Sequence, residues 1–154
     1  RPHHSSPSFF PPLSSSDLFP FKSQSTGDFY VVAGDEAFPG GEPAGWFHFV
    51  KFDGWGNSEE VARYEVPEAG SHNLWVKDDI LYAGYYDGGL RVVDISGELM
   101  GNLYDQGREI GFFQPKDRDG RNPTTTMTWG AMPHKGYIYI ADMASGLWAL
   151  KVNR

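Results

Sequence analysis

SHNLWVKDDILYAGYYDGGLRVVDISG, residues 71–97, decides the fold. It holds two runs rich in β-branched and aromatic residues, 74–76 and 80–86, parted by Lys77-Asp78-Asp79. A third run, 90–95, follows Asp87-Gly88-Gly89. Runs this short are strand length. Asp-Asp and Asp-Gly-Gly between them are hairpin signals, because a tight primed turn demands positive φ, which glycine adopts at no steric cost. The stretch therefore predicts successive antiparallel strands in an up-and-down sheet.

The same unit recurs on either side. Asp28-Phe29-Tyr30-Val31-Val32 aligns with Ile80-Leu81-Tyr82-Ala83-Gly84 and with Tyr137-Ile138-Tyr139-Ile140-Ala141, which puts Tyr30, Tyr82 and Tyr139 in register. A glycine-led strand follows each: Gly45-Trp46-Phe47-His48-Phe49, Gly89-Leu90-Arg91-Val92-Val93 and Gly146-Leu147-Trp148-Ala149-Leu150. The first copy carries extra residues between the two strands, within 35–44, so its hairpin loop is longer. Residues 60–66 and 108–114 read as outer strands, and 72–76 and 128–132 as inner ones. No stretch has sustained helical periodicity. The expected fold is all-β, a partial β-propeller of about three four-stranded antiparallel blades at about 27–70, 71–127 and 128–154, the last lacking an outer strand.

Residues 1–26 differ from the remainder. Their five prolines and eight serines predict an irregular Pro/Ser-rich arm or linker, since proline removes donors and serine competes with backbone bonds. Phe9, Phe10, Phe19 and Phe21 within it are too many for a freely solvated linker and point to docking on a surface. Closed propellers often finish an incomplete blade with a strand from the other chain end, so this arm, or another polypeptide, is expected to pair along 147–152.

The strings Gly89-Leu90-Arg91-Val92-Val93-Asp94-Ile95, His72-Asn73-Leu74-Trp75-Val76, Gly107-Arg108-Glu109-Ile110 and Ala141-Asp142-Met143-Ala144-Ser145-Gly146-Leu147-Trp148 resemble the LVIVD-repeat family of bacterial β-propellers, in the C-terminal portion of its longer members. The resemblance covers residues 27–154. It implies a repeat propeller that is secreted, periplasmic or on the cell surface, and it brings no catalytic residues. Because about three blades cannot close a ring of roughly 4–8, and because the chain starts at Arg1 rather than Met, the expectation is a piece of a longer propeller or a subunit covered by partner chains.

Composition narrows the partners. A net charge of −7 opposes long-range attraction to phosphate backbones or anionic lipid, so neither nucleic acid nor a membrane surface is favoured. No apolar run approaches the roughly 20 residues of a membrane span. With no cysteine, disulfide frameworks, thiolate metal sites and cysteine nucleophiles are excluded. Nucleophile-elbow, phosphate-loop and zinc-protease motifs are absent from the sequence.

Two candidate cation sites stand out. His72 opens an inner strand, where a ring of such residues could hold a transition metal, although its aligned neighbour is Trp129 and the reading preferred is a structural histidine bonded to the next blade. Asp117, Asp119 and Asn122 place oxygens around a glycine turn in the manner of part of a calcium loop, without the full ligand pattern. His48 and His134 make no ligand spacing with His72. Trp46 and Trp55, beside the long loop and the following turn, are the expected interaction surface, with Phe9 and Phe10 of the arm. The function favoured is a non-catalytic structural or protein-interaction module with no cofactor. The alternative is a propeller that binds a metal or small ligand on its channel face, with enzymatic activity there.

Overall fold

The computed structural model describes residues 17–36, 45–67 and 69–151, so Phe9 and Phe10 lie outside the described residues. No helix occurs among them, and they form twelve strands. These are β1 (Leu18–Lys22), β2 (Phe29–Gly34), β3 (Phe47–Phe52), β4 (Ser58–Tyr64), β5 (Leu74–Lys77), β6 (Ile80–Tyr85), β7 (Gly89–Asp94), β8 (Gly101–Asn102), β9 (Glu109–Phe113), β10 (Thr128–His134), β11 (Tyr137–Asp142) and β12 (Gly146–Lys151). Three sheets result, ordered β1-β2-β3-β4-β8, β5-β6-β7-β9 and β10-β11-β12.

Turn chemistry sets the hairpins. Asp78 and Asp79 both take the left-handed conformation, φ 54° and 52°, and Lys77 pairs with Ile80 across a two-residue turn. Asp tolerates that region better than most side chains and its twist suits antiparallel strands. Lys135-Gly136 repeats the arrangement between β10 and β11, and Gly89 (φ 75°) opens β7.

Side-chain alternation then stacks the sheets. Tyr30, Val32, Phe47, Phe49, Ala62 and Tyr64 of the first sheet bury themselves against Leu74, Leu81, Ala83, Tyr85 and Val93 of the second. The opposite face of the second sheet meets the third through Leu90, Ala131, Ile138 and Ile140, with Tyr82, Val92, Phe113 and Trp148 around them. Among the described residues, only the middle sheet is covered on both sides. Tyr30 points toward the second sheet and Tyr82 toward the third. Tyr139, alternating with the buried Ile138 and Ile140, points away from the second. The three tyrosines thus face the same way along the stack, as their sequence register predicts.

Two features depart from expectation. Leu18–Lys22 lies inside the stretch read as linker, yet it is a strand paired along β2, and it carries Phe21 to within 5.3 Å of Tyr30 and Phe19 to within 5.3 Å of Trp75. Apolar alternation over five residues outweighs one proline, because Pro20 sits on a strand at the sheet edge, where a missing donor costs little. The described part of the arm therefore completes the first sheet and does not pair with β12. The second departure is β8, which leaves the connection between β7 and β9 to pair in parallel with β4, giving the first sheet five strands.

Hydrogen bonds reinforce the stack at the hairpin ends. Asp79 is buried and accepts from Ser23 Oγ (3.1 Å), Gln24 N (2.9 Å), Ser25 N (2.8 Å) and Ser25 Oγ (2.7 Å), fastening the β5–β6 turn to the β1–β2 turn. Burial pushes its carboxyl pKa up, and these donors more than reverse the effect, so the pKa is lowered. Such a group stabilises the fold above its unfolded value of about 3.9 and loses that contribution as pH falls through the lower folded value. At Gly84 the fit is closer still: a Cβ there would stand 2.6 Å from the Trp129 carbonyl group.

Asp79→Asn is expected to lower stability at neutral pH by roughly 1.5–3 kcal/mol and to weaken the loss of stability below about pH 4. Urea denaturation across pH checks both effects, and an unchanged acid limb would contradict this role. Gly84→Ala is expected to cost roughly 1–3 kcal/mol by forcing β10 from β6; wild-type stability in the same assay would show that the approach is not tight.

Candidate functional site

Two regions gather chemistry-bearing side chains. The first lies where β2 ends and β3 begins. His48 faces away from the second sheet, since its neighbours Phe47 and Phe49 turn inward. Its Nε2 lies 2.8 Å from Asp35 Oδ2 and its Nδ1 3.0 Å from Glu60 Oε1. Trp46 packs beside it at 6.0 Å and beneath the Arg63 guanidinium at 4.8 Å. Burial opposes protonation of His48, but the bonds to Asp35 and Glu60 outweigh it and the pKa is raised. With both ring nitrogens engaged, the imidazolium is a clamp joining β3 to β4 and to the residue after β2. No lone pair remains to act as a base or metal ligand.

His72 is tethered to the third sheet. Its Nδ1 bonds the Trp129 carbonyl at 2.9 Å, its Nε2 lies 3.4 Å from Glu36 Oε1, and its ring stacks on Trp129 at 5.8 Å. Tyr86 donates to the same Glu36 oxygen at 2.6 Å. This knot joins all three sheets. Asp117 spends its carboxylate on Asp119 N at 2.9 Å, and Asp119 and Asn122 are exposed in the same loop. No group of three or more His, Cys, Asp or Glu side chains suited to a metal occurs among the described residues. Trp55 is 91% exposed at the tip of the β3–β4 turn, whereas Trp46 is half-buried under Arg63. The two flank β3 at its opposite ends.

The second region is a groove of about 740 Å³ between the second and third sheets. Tyr82, Leu90, Val92, Phe113, Ile138 and Leu150 supply its apolar lining, with Ile110 and Phe112 of β9 along one wall. Lys77, Lys135 and Lys151 stand at its turn end, and Asp78 is the acidic residue among them. Its size and apolar lining with a few polar groups are those of a binding site. Its position follows from the topology. The outer edge of β4 is covered by β8 and that of β7 by β9, whereas β12 pairs with β11 alone among the described residues. The groove lies where a fourth strand of the third sheet would pack against β9.

No family model, curated protein or solved structure matches this chain.

Sequence reading missed both regions for the same reason. Asp35, His48 and Glu60 are too far apart in sequence to form a motif, and the three lysines belong to three separate segments. The hairpin register could have found the lysines, since Lys77 precedes one turn, Lys135 lies in the next and Lys151 pairs with Tyr137 just beyond it.

The raised pKa of His48 gives a sign. The clamp stabilises the fold fully below the unfolded imidazole value of about 6.5 and loses its charge-assisted bonds as pH rises through the higher folded pKa. His48→Gln is expected to cost roughly 1.5–3 kcal/mol at pH 6 and less at pH 9. A ring titration followed by NMR that falls at or below the free value would contradict the clamp.

Proposed function

We propose that the three sheets are blades of a β-propeller and that the chain is a non-catalytic structural and protein-interaction module, part of a longer propeller or of a larger assembly. The third blade receives its missing outer strand from another polypeptide. The observation that carries this is the outer edge of β12, unpaired among the described residues beside an apolar groove. An open edge with an adjoining apolar cleft is the geometry of strand addition, in which main-chain bonds supply affinity and pockets supply specificity.

The end faces of the stack support the same reading. Leu18 and Phe29 on the first sheet, and Met132, Tyr137 and Leu147 on the third, are large exposed apolar side chains; Leu147 is 77% exposed. Blades bury such faces against further blades. The LVIVD-repeat resemblance, and with it a place outside the cytoplasm of a bacterium, rests on the sequence strings alone. A metal or small ligand held by His72 is less favoured, because its Nδ1 is bonded to the Trp129 carbonyl and its ring stacks on Trp129, which ties it to the third sheet.

Native mass spectrometry or light scattering of purified material tests the reading. A species heavier than 17.2 kDa, containing a second polypeptide or further propeller sequence, is expected. A stable, soluble monomer of that mass with nothing bound would overturn it.

A further inference from the structure

We propose that the strand received along β12 is acidic at its N-terminal end and apolar beyond it. This rests on the strand-addition reading above and adds the chemistry of the partner. Lys77 ends β5, Lys135 sits in the β10–β11 turn and Lys151 closes β12, so the three lysines line the turn end of the groove. None forms an ion pair among the described residues. In a chain of net charge −7, three lysines without an ion pair among the described residues, beside an edge open among them, are complementary to a carboxylate-bearing occupant.

Direction follows from the fold. A strand antiparallel to β12, as β9 is to β7, would enter at the end where β12 finishes and so place its first residues among the lysines. The rest of it would run along Leu90, Phe113 and Leu150.

The chain's own outer strands have this pattern. β4 starts Ser58-Glu59-Glu60 and continues Val61-Ala62-Arg63-Tyr64; β9 starts at Glu109 and continues Ile110-Gly111-Phe112-Phe113. The acid at the start is used in both. Glu60 holds His48, while Glu109 accepts from Tyr64 Oη at 2.5 Å and from Arg91 at 3.0 Å. Residues 1–16 fit poorly as the occupant, with no acidic residue and four prolines, since proline cannot donate to a ladder. A second copy presenting its own β12 antiparallel would set Gly146, which carries no acid, among the lysines.

The test uses the whole chain and a synthetic peptide with the sequence of β4, Ser58–Tyr64, alongside versions carrying Glu59→Gln with Glu60→Gln, or Glu59→Lys with Glu60→Lys. Affinity is read by calorimetry, and the contact by hydrogen exchange at the β12 amides. The acidic peptide is expected to bind roughly three- to tenfold tighter than the glutamine version, with the lysine version weakest. All are expected to slow exchange in β12, and Lys135→Glu with Lys151→Glu should invert the order. Equal affinity of the three peptides with β12 protected would overturn the acidic-end proposal and leave strand addition standing. Binding without protection of β12, or no binding by any peptide, would overturn both.

Discussion

A β-sheet with apolar side chains on both faces must be covered on both sides, and this constraint organises the molecule. The second sheet meets it, with Leu81, Ala83 and Tyr85 turned one way and Leu90, Tyr82 and Val92 the other. At roughly 25 cal/mol for each Å² of apolar surface removed from water, burying residues as large as Tyr30, Phe47, Phe49 and Tyr64 outweighs any single hydrogen bond in the chain. The first and third sheets are covered on one face by the second. The polar features of the fold then serve the stack: the Asp79 clamp at one end, the Glu36–His72–Tyr86 knot at the other, and Gly84 where β6 and β10 approach too closely for a side chain.

From the same constraint comes the open site. Where a sheet is complete, its outer strand does two jobs: it pairs with the strand inside it and lays side chains on the neighbouring sheet. β9 does both, pairing with β7 while Glu109 reaches Tyr64. Among the described residues the third sheet has no such strand, and an open edge occurs there together with the groove beside it.

Much of this could be read from residues 71–97, because turn chemistry and alternation are local. Asp78-Asp79 and Asp87-Gly88-Gly89 mark the hairpins on either side of β6, and alternation within β2, β6 and β11 fixes which residues turn inward. What escaped the sequence is non-local or short. Leu18–Lys22 was obscured by prolines and serines whose local preference is irregular, and tertiary burial of Phe19 and Phe21 overrides that preference. β8 is two residues long and pairs in parallel with a distant strand, so it leaves no periodic signal. The His48 clamp and the lysine-rimmed groove exist only once three hairpins are stacked.

The most direct measurement is residue-resolved amide hydrogen exchange along β12 in the isolated chain. The account predicts alternation over residues 146–151, with slow exchange where an amide is bonded to β11 and fast exchange where it faces the open edge. Uniformly slow exchange across β12, matching β6 in the middle of its sheet, would mean that the edge is already covered and would contradict the claim that the third sheet awaits a strand.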